Sequence, residues 1–208
     1  MACIFDYGMK KKNTTTIGID EVGYGPWSGP VVVVGVKINQ KEQFDITFCD
    51  SKAINTFKRN ALFHEIISLM KKDKLKAFVS FGSAEEITNN GIFPTTMNCM
   101  ERVFKNLSTP HSQTFIDGKN VPKNLKGLVT PVVKGDQIVR EISAASIVAK
   151  TLRDHYMTSL SLQFPQYGWH KNMGYGTKHH TEAIAKFGVT PHHRLSFRPL
   201  KKYWGVVE

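Results

Sequence analysis

The sequence predicts an α/β fold built on an open sheet, and three observations carry that expectation. Short β-branched runs alternate with helical periodicities, and glycine or proline bounds the apolar runs. Three strand ends also carry an acid beside a glycine: Asp20-Glu21 before Gly23, Asp117 before Gly118, and Asp136 after Gly135. Ligands gather at strand ends in open sheets with helical crossovers. Carboxylates that converge there repel one another unless a hard divalent cation, which takes oxygen ligands, lies among them.

Residues 1–15, with Lys10-Lys11-Lys12, read as a flexible basic arm. A first strand over 16–22 holds Asp20 and Glu21 and breaks into Gly23-Tyr24-Gly25-Pro26, after which a second strand covers 31–38. Adjacent strand residues point to opposite faces, so Asp20 and Glu21 share a ligand only where the strand ends or bulges, and the glycines downstream permit that. A helix follows over 56–72, with Phe57, Ala61, Leu62, Ile66, Leu69 and Met70 at helical spacing. Strands are expected over 76–82, from Thr114 to Asp117-Gly118, and over 128–133, with a helix over 95–107 between the first two. A long helix over 138–157 is rich in small residues at Ser143-Ala144-Ala145-Ser146, which suit close packing on the sheet, and places Lys150, Arg153 and Asp154 toward its exposed end.

Residues 164–178 form a loop dense in aromatic, glycine and basic residues, the composition needed to stack on sugars or bases and to pair with phosphates. An aromatic mini-core under a long loop is the structural alternative. Thr177 can cap a last helix running to Phe187, stopped by Gly188. His179 and His180 lack the i, i+4 spacing of a helical metal pair and are expected at the surface or facing phosphate. No linker divides the chain: residues 16–160 are expected to form the main domain, which bears the acids, and 161–208 a helical and loop extension packed on it.

Composition narrows the function. The 208 residues are 41% hydrophobic and 22% charged, as in an ordinary globular protein. With 28 Lys and Arg against 17 Asp and Glu, the net charge of +11 points to a polyanionic partner, nucleic acid being the commonest. No apolar run is long enough for a membrane span and the first residues lack an apolar signal region, so a cytoplasmic protein is expected. Cys3, Cys49 and Cys99 fit neither a disulfide framework nor a zinc site and read as reduced thiols.

Taken together these stretches resemble the ribonuclease HII family, the type 2 ribonucleases H. The resemblance runs from Gly18-Ile19-Asp20-Glu21 and Gly29-Pro30-Val31-Val32 through Asp50-Ser51-Lys52, Asp117-Gly118 and Lys134-Gly135-Asp136. It continues in Ser143 to Lys150, Arg153-Asp154, Tyr167-Gly168, Gly174-Tyr175-Gly176-Thr177 and His193-Arg194-Leu195-Ser196-Phe197. It implies the ribonuclease H-like fold, a mixed five-stranded sheet flanked by helices with a small helical C-terminal extension. Asp20, Glu21, Asp117 and Asp136 become both the catalytic residues and the ligands of a two-metal Mg2+ or Mn2+ site. The implied reaction is cleavage of the RNA strand of RNA–DNA hybrids and cleavage 5′ of single ribonucleotides embedded in duplex DNA, leaving 5′-phosphate and 3′-hydroxyl ends, by a monomeric enzyme.

The 2′-hydroxyl distinguishes RNA from DNA, and the resemblance assigns its recognition to Gly23, Tyr24 and Gly25 with Tyr175 against the sugar. Lys52, Lys171, His193 and Arg194 are candidate phosphate contacts. This chain departs from the family in having Tyr24 where arginine is usual, Met173 in place of a lysine, and Asn172 in place of a histidine. Two alternatives follow: a ribonuclease H that cuts only longer hybrids and lacks junction preference, or a non-catalytic hybrid-binding protein.

Overall fold

The computed structural model describes residues 15–39 and 54–204; the basic arm, Cys3, Cys49 and the Asp50-Ser51-Lys52 motif lie outside the described residues. Strand β1, Thr15–Val22, alternates as its sequence requires: Ile17 and Ile19 point to one face, Gly18 and Asp20 to the other, and all four are buried. Strand β2, Val31–Asn39, reads as a continuous apolar run, and Val31 to Val34, Val36 and Ile38 are fully buried, as in a strand covered on both faces.

Helix α1, Thr56–Lys71, is capped by Asn55, whose side chain accepts a hydrogen bond from the Lys58 amide at 2.9 Å. It buries Arg59, Ile66 and Leu69, whereas Phe57, expected on the apolar face, is exposed. Strand β3, Leu75–Gly82, leads into α2, Ala84–Asn90, which the sequence reading missed. Ser83 and Glu86 form a capping box there, the Glu86 amide donating to Ser83 Oγ and the Ser83 amide to Glu86 Oε2. Helix α3, Ile92–Leu107, strand β4, Ser112–Asp117, and strand β5, Val129–Val132, follow. Helix α4, Arg140–Gln163, runs further than expected. Beyond it come α5, Trp169–Asn172, and α6, Lys178–Phe187, capped by Thr177 as expected.

The five strands make one mixed sheet in the order β3-β2-β1-β4-β5, and β1–β4 and β4–β5 pair in parallel. The α/β expectation with its five-stranded sheet is met.

The described residues divide into two units whose segments interleave: 15–21, 33–39, 54–80 and 100–151 in the first, and 22–32, 81–99 and 152–204 in the second. In the first unit a Cβ on Gly18 would collide with backbone atoms of Glu141 and Ile142, so the start of α4 lies directly on β1. On the other face a Cβ on Gly35 would meet Val103, Leu107 and Ile19, which places α3 there. The second unit has its own core, of Met157, Leu160, Tyr167, Trp169, Ala183, Ile184, Leu195 and Leu200.

Candidate active site

The parallel register delivers the acids. Ile19 pairs with Ile116, so Asp20 and Asp117 follow at neighbouring positions as β1 and β4 reach their carboxyl ends. Asp117 Oδ1 accepts a hydrogen bond from the Gly135 amide at 2.7 Å, which ties it to the turn Gly135–Gln137 that carries Asp136. Lys134 enters that turn with φ of 56°, and Gly135 is packed against Ile142 and Asp117 with no room for a Cβ. Asp20 and Asp136 are buried, at 5% and 8% exposure, while Glu21 and Asp117 are half-buried.

Asp20 feels the charges of two of the other acids. Burial pushes the Asp20 carboxyl well above the usual range, the neighbouring charges of Glu21 and Asp117 push it further, and hydrogen bonds from Ser146 of α4 and the Glu21 amide oppose them. The Glu21 amide donates to Asp20 Oδ1 at 2.7 Å. Among the described residues no three acid, imidazole or thiol side chains stand ready-arranged as a complete cation cage. The donor set nonetheless suits a hard divalent cation: it is all oxygen, and Asp20 is buried beside like charge.

In the second unit the corner after β1 is woven to distant segments by its backbone. Gly23 has φ of 90° and lies against the Arg153 side chain. Trp27 N donates to Gly174 O at 2.8 Å, Gly29 N to His192 O at 2.9 Å, and Arg194 N to Trp27 O at 2.8 Å. The Tyr175 ring would lie 3.7 Å from a Cβ placed on Gly25, so the glycine corner and Tyr175 are neighbours. Tyr24, Gly25 and Tyr175 are exposed.

Three expectations need correction. His193 and Arg194 are buried, at 2% and 0% exposure, so neither is placed to meet a phosphate. Arg153, expected near an exposed helix end, is 1% exposed, with its donors on the carbonyls of Ser28, Pro30 and Met173. His180, expected at the surface, is also buried: its Nδ1 bonds Tyr175 O, and its Nε2 meets Trp169, His193 and Ser28. The long aromatic loop correspondingly splits. Tyr167 and Trp169 stack at 5.0 Å inside the core, leaving Tyr175, His170 and Lys171 outside. Asn172 shapes the turn, donating to Tyr167 O at 2.7 Å and accepting from the Gly174 amide at 2.8 Å.

Residues 17–200 match the family model described as ribonuclease HII. A ribonuclease HII of Wolbachia sp. subsp. Brugia malayi is 39% identical over 94% of this chain and 94% of its own length. The solved structure of ribonuclease H2 from Pyrococcus horikoshii OT3 superposes with a TM-score of 0.75 at 24% identity, covering 90% of this chain and 96% of that one. Bst-RNase HIII in complex with Mn2+ gives a TM-score of 0.70 at 17% identity, covering 93% of this chain and 70% of that one.

Proposed function

Since the chain belongs to the ribonuclease HII family and is an endonuclease of the ribonuclease H type, we propose that it cuts the RNA strand of RNA–DNA hybrids and also cuts 5′ of single ribonucleotides embedded in duplex DNA. The products are 5′-phosphate and 3′-hydroxyl ends. The observation that carries this reading is the parallel register that brings Asp20 and Asp117 to neighbouring strand ends, with Asp117 hydrogen-bonded to the turn bearing Asp136.

Asp20, Glu21, Asp117 and Asp136 would hold Mg2+ or Mn2+, and Bst-RNase HIII, of similar fold, is a Mn2+ complex. Held by these four carboxylates, such ions would supply activation of the attacking water and charge stabilisation of the leaving 3′-oxygen. The chain's own residues prepare that chemistry. Ser146 and the Glu21 amide fix the Asp20 carboxylate, and the Gly135 amide fixes Asp117. Gly23, Tyr24 and Gly25 with Tyr175 read the ribose, and Lys171 and Lys52 meet phosphate. The net charge of +11 favours such a polyanionic substrate.

Cleavage of a duplex carrying one ribonucleotide, in Mg2+ or Mn2+, with mapping of the 5′ end, tests the reading. Wild type cuts 5′ of the ribonucleotide and Asp20→Asn does not; equal rates in the two proteins would refute it. Tyr24 and Met173 favour a second reading, an enzyme confined to longer hybrids. Wild-type cleavage of a four-ribonucleotide stretch but not of the single ribonucleotide would select it.

A further inference from the structure

Arg153 and Arg194, expected outside from the sequence, are among the largest fully buried side chains of the described residues. Burying a guanidinium is costly unless its donors are satisfied, and an apolar side chain of similar volume would fill the space more cheaply. What the two groups hold is the corner. Arg153 donates from Nε to Pro30 O at 3.0 Å and from Nη2 to Ser28 O at 3.1 Å. Arg194 donates from Nε to Gly29 O at 2.8 Å and from Nη1 to Tyr24 O at 3.2 Å, while its amide takes Trp27 O. The carbonyls of Tyr24, Trp27, Ser28, Gly29 and Pro30 thus all accept from these two residues.

A further bond extends the grip to the second segment beside the corner. Arg153 Nη1 donates to Met173 O at 2.9 Å, immediately before Gly174 and Tyr175. Tyr175 lies close enough to both guanidiniums for its ionised form to favour their charge. Arg194 Nη2 is buried with no hydrogen-bond partner among the described residues, so the side chain is retained there at the cost of one unsatisfied donor.

We propose that Arg153 and Arg194 are positioning residues for ribose recognition: their planar forks grip the carbonyls of residues 24 and 28–30 and of Met173, and hold the Gly23-Tyr24-Gly25 backbone and Tyr175 in the arrangement that reads a 2′-hydroxyl. The role presupposes the ribonucleotide cleavage proposed above. Lysine cannot replace either group, because a single ammonium on a flexible stem cannot span two carbonyls in fixed directions.

The test compares wild type, Arg153→Lys and Arg194→Lys on two duplexes, one with a single embedded ribonucleotide and one a continuous RNA–DNA hybrid. Many contacts on the hybrid do not depend on the corner, so kcat/KM on the single ribonucleotide is expected to fall at least about tenfold further than kcat/KM on the hybrid. Parallel losses on both substrates, or no loss, would overturn the assignment. Should neither variant fold, the wild-type guanidinium signals in 15N NMR decide. Slowly exchanging Nε and Nη protons on both arginines are expected, and averaged, rapidly exchanging signals would overturn the grip itself. A wild type that cleaves neither duplex would instead remove the parent activity.

Discussion

His193 and His180 face each other through their Nε2 atoms at 3.2 Å, and the partners of the other ring nitrogens assign the proton between them. His193 Nδ1 accepts from the Thr190 amide at 2.9 Å, so its Nε2 carries the hydrogen and donates to His180. His180 Nδ1 donates to Tyr175 O at 2.9 Å, which leaves His180 Nε2 to accept also from Trp169 Nε1 at 3.1 Å. Both rings are neutral, and a proton added to either turns an acceptor into a donor facing a donor.

Burial first, and then the neighbouring His180, push His193 down to about 3; burial likewise lowers His180. A lowered histidine pKa in the fold means that the unfolded chain binds more protons between that value and about 6.5, so stability is lost as the pH falls through that window. Between about pH 7.5 and pH 5, His193 alone contributes a loss of roughly 2 kcal/mol. Urea unfolding of wild type and His193→Gln at both pH values checks this. The variant, though less stable at neutral pH, is expected to lose about 2 kcal/mol less on acidification, and equal losses would show that the pair is not the titrating element.

Asp20 is buried against like charge, so removing its carboxylate relieves repulsion. In chelator, Asp20→Asn is expected to melt no lower than wild type. On adding Mg2+ or Mn2+ wild type gains stability by mass action, roughly 1.4 kcal/mol at ten times Kd, and the variant gains little. Calorimetry with and without the ion reads both effects, and a variant that melts well below wild type in chelator would contradict the repulsion.

Gly18→Ala tests how the acids are held in place. The added methyl would strike the backbone at Glu141 and Ile142, and backbone cannot rotate away as a side chain can. The start of α4 must then lift from β1, displacing Ser146 from Asp20. A loss of about 3 kcal/mol or more is expected in urea unfolding, with cleavage falling alongside it. A loss below about 1 kcal/mol would mean that the contact is softer than the packing implies.

What the sequence made legible and what it hid follow one physical division. The acids were readable because each sits at a strand end beside a glycine, a local pattern that needs only β1 and β4 to lie in parallel register. Arg153, Arg194 and His180 were not, because an arginine or histidine read singly is a surface residue by default. The corner carbonyls that hold the two guanidiniums, those of Tyr24, Ser28, Gly29 and Pro30, are 123 to 170 residues away in the chain. Tyr167 and Trp169 looked like a stacking platform and are core, since aromatic rings serve either purpose and only the partners distinguish them. Helix α2, by contrast, carries a local signal that the periodicities do not: Ser83 with Glu86 three residues on is a capping box.

That box gives a simple stability test. Ser83→Ala removes the acceptor for the Glu86 amide and is expected to cost about 1 kcal/mol in urea unfolding, with little effect on cleavage. A null effect would show that the remaining half of the box and the packing of Ala84 and Ile87 suffice to hold the helix.

Tyr24 occupies the middle of the glycine corner, 43% exposed, and its carbonyl is held by Arg194 Nη1 at 3.2 Å. The backbone conformation is therefore supported independently of the side chain at this position. If that backbone reads the ribose, Tyr24→Ala should keep the preference for a single ribonucleotide over hybrid within about threefold of wild type. Tyr24→Arg should add a phosphate contact and steepen the dependence of log affinity on log salt by about one. Cleavage of both substrates by the three proteins across a salt series checks both expectations. Loss of single-ribonucleotide cleavage in Tyr24→Ala, with hybrid cleavage intact, would move recognition from the backbone to the aromatic ring, where stacking on a sugar or base supplies it.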